Sequence, residues 1–324
     1  MTCIRNLTSE ILFEEPMARH TTFRVGGPAE AFARPKTTEE LINIWNHCHG
    51  SDIPLIILGD GANVLVSDKG LRGVVVSTSK MNDIEILENN RIKALAGARL
   101  SKVAEVACKA GLAGFEFASG IPGTVGGAVY MNAGAYDHDI AEVCESVTLL
   151  HPRHSLPCHC KEDFSPTKRS TGSQRMGSTP DYTVNTLPSG EMNFGYRQSL
   201  AQQGNMLILD AIFQLHPGNA QEIREKMTDL NNRRRTSQPL DFPSAGSTFK
   251  RPPGHFAGKL IQDSGLKGFA IGGAQVSEKH AGFVINTGSA TAQDIYDLIQ
   301  TVREKVHENF GIWMEPEVKI LGFG

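Results

Sequence analysis

The stretch Gly120-Ile-Pro-Gly-Thr-Val-Gly-Gly-Ala-Val-Tyr-Met-Asn-Ala-Gly-Ala-Tyr136 carries glycine at 120, 123, 126, 127 and 134. Residues without a Cβ let the backbone lie against another segment or a ligand. Before Tyr130 the only polar side chain is Thr124, so the chemistry on offer is that of amide N–H groups wrapped around a phosphate or a flat ring. A glycine-rich turn between two strands would account for only two or three of these glycines. A second loop of the same kind, Gly59-Asp-Gly-Ala-Asn63, joins two short apolar runs and presents amides in the same way. Position 64 is Val with a strand ahead, so this loop lacks the third glycine and the helix of a Rossmann dinucleotide fingerprint. No Walker A pattern occurs either. Positive charge stands apart from the glycines, at Arg24, at Arg233-Arg-Arg235, and at Lys250-Arg251 within the Gly/Ser loop Pro243–Pro252. The arginine triplet closes a helical pattern, where the macrodipole favours cations, and it also suits an anion.

These loops need elements to hold them. Phe23 and Val25 alternate as in a short strand that Gly26-Gly-Pro28 turns. Thr37-x-x-Glu40 is a capping box for a helix through Leu41, Ile42, Trp45 and Cys48, with Gly50 placed to end it. Pro54–Leu58 reads as a strand buried on both faces, Leu71–Val76 as another, and 84–87 with 92–96 as a hairpin. Leu100–Ala110 has helical periodicity and stops at Gly111. From His151 to about Leu187 apolar periodicity is lost, which reads as an exposed, mobile insertion. A strand follows at 206–213, then a helix capped by Asn219. The final helix starts at the capping box Thr291-x-x-Asp294 and ends at Gly311, and a strand over 315–321 closes the reading. Strands and helices alternating around two glycine loops indicate an α+β or mixed α/β fold with a ligand between subdomains.

Composition narrows the classes. The 324 residues suit about two domains or three small ones, and 40% hydrophobic residues suffice for a core. A net charge of −3 gives no reason to expect nucleic acid. No apolar run spans a bilayer, and the first residues have no secretory h-region, so a cytoplasmic protein without membrane insertion is expected. Six cysteines are scattered without a disulfide framework. Cys158-His-Cys160, with His151 and His154 nearby, lacks the second ligand pair of a zinc site, so no metal is expected.

Seven motifs in order resemble one family: His20-Thr-Thr-Phe-Arg-Val-Gly-Gly-Pro-Ala, Leu58-Gly-Asp-Gly-Ala-Asn-Val-Leu-Val, Gly120-Ile-Pro-Gly-Thr-Val-Gly-Gly-Ala, Gly195-Tyr-Arg-Gln-Ser, Ser244-Ala-Gly-Ser-Thr-Phe-Lys-Arg-Pro, Gly272-Gly-Ala-Gln-Val-Ser-Glu-Lys-His-Ala-Gly and Glu315-Pro-Glu-Val. That family is the UDP-N-acetylenolpyruvoylglucosamine reductases (MurB), flavoenzymes of peptidoglycan synthesis. The resemblance covers nearly the whole chain except 151–187, and it is to the form without an extra tyrosine-bearing loop. It implies an α+β chain with a two-subdomain FAD-binding module of vanillyl-alcohol-oxidase (PCMH) type, over 1–84 and 85–204, and a C-terminal α+β UDP-sugar domain over 205–324. It also implies non-covalent FAD, NADPH as co-substrate, a UDP-sugar substrate and no obligate protein partner. The alternatives are another FAD-dependent oxidoreductase of the same fold, or a degenerate flavin or UDP-sugar binder.

The same resemblance assigns residues. Hydride passes from NADPH through the flavin to an enolpyruvyl group, and charge then builds on that group's carboxylate. Arg197 and Glu317 match the positions that would stabilise this enolate, Glu317 in its protonated form or through water, since a bare carboxylate would repel the charge. Ser247 matches the proton donor. FAD contacts fall on Arg24, on Gly59, Asp60, Gly61, Ala62, Asn63 and Val64, on Gly120, Ile121, Pro122, Gly123, Thr124, Gly126 and Gly127, and on Ala133, Gly134 and Ala135. Substrate contacts fall on Tyr196, Lys250, Arg251 and His280. Ser237 stands where the family often has lysine, and Arg233 to Arg235 are expected to compensate, with Arg235 as the substrate contact.

Overall fold

The computed structural model describes residues 9–153, 182–204 and 206–323. The first unit is a sheet of β1 (Glu10–Pro16), β2 (Pro28–Arg34), β3 (Leu55–Leu58) and β5 (Leu71–Ser77), with helix α1 (Thr38–Gly50) between β2 and β3 and β4 (Val64–Val66) between β3 and β5. The order is β1-β2-β5-β3, with β1 antiparallel and the other three parallel. Helix α1 begins as its sequence dictates: the Thr37 side chain accepts from the Glu40 amide. The Glu40 carboxylate accepts from Lys36 N rather than closing the box on Thr37. Leu41, Ile44, Trp45 and Cys48 face the core, and burial pushes the Cys48 thiol up to about 11.

The second unit is an antiparallel sheet of β6 (Ile84–Leu87), β7 (Arg91–Leu95), β8 (Cys144–Pro152), β9 (Tyr182–Pro188) and β10 (Leu207–Gln214), in the order β9-β8-β10-β7-β6. Asn89 and Asn90, both with positive φ, make the β6–β7 turn. Helices α2 (Leu100–Lys109), α3 (Val125–Met131) and α4 (Ala220–Ser237) belong to this unit, and the core joins Ile92, Leu100, Val103, Phe115, Val147 and Phe213.

The third unit contains helix α5 (Ala257–Asp263), strands β11 (Ala270–Ile271), β12 (Ala274–Val276) and β13 (Val284–Asn286), and helix α6 (Ala292–Phe310). The Thr291–Asp294 capping box and the left-handed Gly311 bound α6 as expected. This unit is fused to the first. Phe23, Val25 and Leu65 share its core with Phe249, Leu298 and Val302. Both Asp68 carboxylate oxygens accept amides at the start of α6, from Ala292 at 3.0 Å and Gln293 at 2.9 Å. β14 (Lys319–Leu321) pairs in parallel with β4.

Several sequence expectations need correction. The boundary at 205 comes too early, because β10 is the middle strand of the second sheet and α4 packs against α2. Residues 20–27 form a loop rather than a strand, with Arg24 at φ 58. Pro54–Leu58 is not buried on both faces: β3 is an edge strand, and Ile57 keeps 37% of its surface. The interval 151–187 is partly strand, since β8 runs to Pro152 and β9 returns from Tyr182; the remainder, with Cys158–Cys160, lies outside the described residues. The stretch from Gly120 is not one loop, because Thr124 caps α3 by accepting from Gly127 N. The closing strand is only 319–321, although Pro316 bridges Phe249.

Candidate active site

The two glycine loops touch one another. A Cβ built on Gly59 would stand 2.3 Å from Thr124 Oγ1, and one on Gly61 would stand 2.0 Å from His20 O. Thr22 N donates to Gly61 O at 3.1 Å, so the His20–Val25 loop braces the turn from behind. Gly126 is held against Ala96, whose Cβ and carbonyl lie 3.0 and 3.1 Å from a built Cβ. Gly123 and Gly127 differ. Their built Cβ atoms meet only Ala62 Cβ at 3.8 Å and Thr124 Oγ1 at 3.7 Å, and both residues line a cavity of about 940 Å³.

That cavity receives nearly all of the expected amide wall: Gly59 to Val64, Ile121 to Thr124, Gly126, Gly127, and Ala133 to Ala135. Its size and mainly apolar, amide-rich lining fit a large flat cofactor with a pyrophosphate. Two expected members stay outside. Gly120 meets Asn231 of α4, with a built Cβ 2.4 Å from Asn231 Oδ1, so this glycine serves packing. Arg24 is exposed at its left-handed turn and does not line the cavity.

Three elements converge at the far end of the cavity. Glu317 is fixed by its backbone on both sides: its amide donates to Thr248 O at 2.8 Å, and its carbonyl accepts from Asn63 Nδ2 at 3.1 Å. The first bond brings Glu317 beside the loop of Ser247, and the second beside the Gly59–Asn63 turn. Arg197 Nε then donates to Glu317 Oε1 at 2.6 Å. Burial pushes the Glu317 carboxyl above the usual range, and Arg197 pulls it partly back. Arg197 occupies φ 56 in a tight turn closed by reciprocal 3.1 Å bonds between Gly195 and Gln198. A non-glycine residue held there costs about 1 kcal/mol or more, which the surroundings must hold in place.

Arg197, Ser247 and Glu317 also line a second cavity of about 500 Å³, with Tyr196, Phe249, Arg251, Phe256, Lys259, Lys279 and His280. Tyr196 Oη accepts from Arg251 N at 3.1 Å, and the Arg251 guanidinium lies 3.9 Å over the Phe256 ring. Gly282 N donates to His280 Nδ1 at 3.1 Å, which leaves the ring proton on Nε2. Burial lowers the His280 pKa, favouring that neutral form. Of the expected substrate residues, Lys250 instead pairs with Glu315 at 2.5 Å and lines neither cavity. Arg235 is exposed and also lines neither; its neighbours Arg234 and Ser237 face the first cavity.

Arg234 is thus the member of the arginine triplet that meets the cavity, while Lys319 and Tyr130 on the first cavity and Lys259 and Lys279 on the second carried no expectation from sequence. Burial lowers the pKa of Lys319 first, and the nearby Lys250 charge adds to it. A cation two residues beyond Glu317 was visible in the sequence, but its direction depends on the parallel pairing with β4.

A model described as the C-terminal domain of UDP-N-acetylenolpyruvoylglucosamine reductase matches residues 238–321, and one described as an FAD binding domain matches 29–154. The UDP-N-acetylenolpyruvoylglucosamine reductase of Caldanaerobacter subterraneus subsp. tengcongensis is 47% identical over 313 residues, 97% of this chain and 94% of that protein. The chain belongs to this reductase family. The same-named protein of Clostridium perfringens is 44% identical, over 97% of this chain and 93% of its own length. The crystal structure of the reductase from Thermus caldophilus superposes with a TM-score of 0.74 at 29% identity, covering 97% of this chain and 99% of that one. The fold is thus the α+β arrangement expected for the reductase family, with an FAD-binding domain followed by the family's C-terminal domain. Among the described residues no helix is long and apolar enough to cross a membrane.

Proposed function

We propose that this chain reduces UDP-N-acetylglucosamine enolpyruvate to UDP-N-acetylmuramate, with non-covalent FAD in the amide-lined cavity and NADPH as the reductant. The observation that carries the reading is the wall of Arg197, Ser247 and Glu317 shared by two cavities of different chemistry. In this reading the first two units hold FAD, the third takes the UDP-sugar, and the reaction runs in the cytoplasm on a step of peptidoglycan precursor synthesis.

Bound FAD would supply hydride transfer from NADPH to the β-carbon of the enolpyruvyl group. Arg197 faces the substrate carboxylate and stabilises the enolate charge that develops there, a contribution of about 3 kcal/mol for a well-placed donor. Burial pushes the Glu317 carboxyl toward its neutral form, and in that form it donates a hydrogen bond to the same charge instead of repelling it. The Ser247 hydroxyl gives its proton to the α-carbon, completing addition of one hydride and one proton across the double bond. Arg251, Lys259 and Lys279 hold the diphosphate, and Tyr196 and Phe256 supply flat surfaces beside it.

The test is a visible spectrum of the purified protein. Oxidised-flavin bands that bleach with NADPH and return on adding the enolpyruvyl UDP-sugar without oxygen are expected. A yellow protein that NADPH does not bleach would identify a binding protein instead.

A further inference from the structure

Arg197 sits on a left-handed turn, and side chains outside that turn, one distant and one five residues on, hold its carbonyls. Asn132, itself at φ 41, donates from Nδ2 to Gly195 O at 3.1 Å. Gln202 does more. Its Nε2 donates to Arg197 O at 3.0 Å and to Tyr130 O, at the end of α3, at 2.6 Å. Its Oε1 accepts from Lys319 Nζ on β14 at 3.4 Å. Ser199 Oγ donates to the same Tyr130 carbonyl at 2.8 Å, so both lone pairs of that oxygen are used.

These partners fix which way the Gln202 amide points. A flipped amide would set its oxygen against two carbonyl oxygens and its NH2 against an ammonium group, so only one orientation satisfies every neighbour. One side chain therefore ties the Arg197 turn to the glycine-rich helix on one side and, on the other, to Lys319 of β14, two residues beyond Glu317.

We infer that Gln202 is the positioning residue that sets the Arg197 guanidinium against Glu317 and the substrate carboxylate; this rests on the role proposed for Arg197. Gln202 lines neither cavity, so it acts through Arg197 rather than on a ligand. Methionine has nearly the same length and volume but no donor, so Gln202→Met releases the Arg197 carbonyl while keeping the packing.

The experiment follows the two half-reactions separately, with FAD content and melting temperature measured alongside. Gln202→Met is expected to keep its flavin, melt within a few degrees of the parent and bleach with NADPH at the parent rate. Its reoxidation by the enolpyruvyl UDP-sugar should slow about tenfold, with less than a further twofold change when added to Arg197→Ala. Gln202→Glu, which sets a carboxylate against two carbonyls, should slow the same half-reaction at least as much. Parent-rate reoxidation in both Gln202 variants, or an equal slowing on the Arg197→Ala background, would overturn the inference. Loss of flavin and of both half-reactions together in both variants would also overturn it, by making Gln202 a general packing residue. A slow Arg197→Ala beside parent-like Gln202 variants rejects this inference alone; a parent-like Arg197→Ala rejects the Arg197 role and this inference with it.

Discussion

On one side of Arg197 and Glu317 lies a slot walled by glycines, small residues and backbone amides. On the other side a smaller groove carries Arg251, Lys259, Lys279 and His280 around Tyr196 and Phe256. In the proposed reading the first recognises shape and phosphate through fixed dipoles that come with the backbone. In the same reading the second recognises charge through long side chains that remain in contact with water. The amide wall needs a particular backbone path, which glycines make possible, whereas the cationic groove needs only residue types gathered from several elements. Mutations should therefore act differently on the two sides, and most strongly on the wall between them.

The largest effect is expected at that wall. Ser247→Ala should leave flavin bleaching by NADPH intact while slowing reoxidation by the enolpyruvyl substrate by about a hundredfold or more. Equal loss in stopped-flow traces of both half-reactions would break the assignment. Glu317 gives the next test. Because burial raises its pKa, the neutral donor form is present at lower pH and is lost as pH rises through that value. Reoxidation should then fall by about tenfold per pH unit on the alkaline side, and Glu317→Gln should show no such limb. An alkaline limb that persists in Glu317→Gln would assign the titration to another group.

Adjacent glycines separate packing from ligand space. Gly127→Ala adds a methyl that faces the amide-lined cavity, so flavin affinity in a fluorescence titration should fall about tenfold. Alanine also favours the helix, so the flavin-free protein should melt no lower, with a gain of up to about 1 kcal/mol. Gly126→Ala presses on Ala96 and should instead lower the melting temperature. If the two variants behaved alike, the division between wall and core would be lost. The smallest contrast concerns UDP. Arg251→Ala should weaken UDP binding about tenfold by calorimetry, and Arg235→Ala should leave it within about twofold. The reverse order would restore Arg235 as a substrate residue.

The two sides also differed in how much of them could be read from sequence. The glycine loops were legible because so many residues lacking a Cβ have few other uses, and all but Gly120 of those expected there face the cavity. Helix ends at Thr37, Asn219 and Thr291 were legible because capping is local. The arginine triplet was not, since choosing Arg234 over Arg235 requires the rotational phase of the last turn of α4. Lys319 and the sheet membership of β10 were hidden for a shared reason: both follow from strand pairings between distant segments. Arg24 belongs to a recognisable motif, yet one left-handed turn sends it to solvent. Gln202 carried no local signal, because its meaning lies in three partners far from one another in the chain.

The pairing of β4 with β14 has a consequence for synthesis on the ribosome. Asn63 and Glu317, whose hydrogen bond helps fix the reactive wall, lie 254 positions apart. The glycine turn at 59–63 and the sheet around it can form early, as chains fold from the N-terminal side during translation. The carboxyl that completes the wall reaches its place only after residue 321 has emerged and closed that long loop. A nascent chain can thus assemble its amide cradle while still lacking Glu317, so the wall proposed to do the chemistry is completed late.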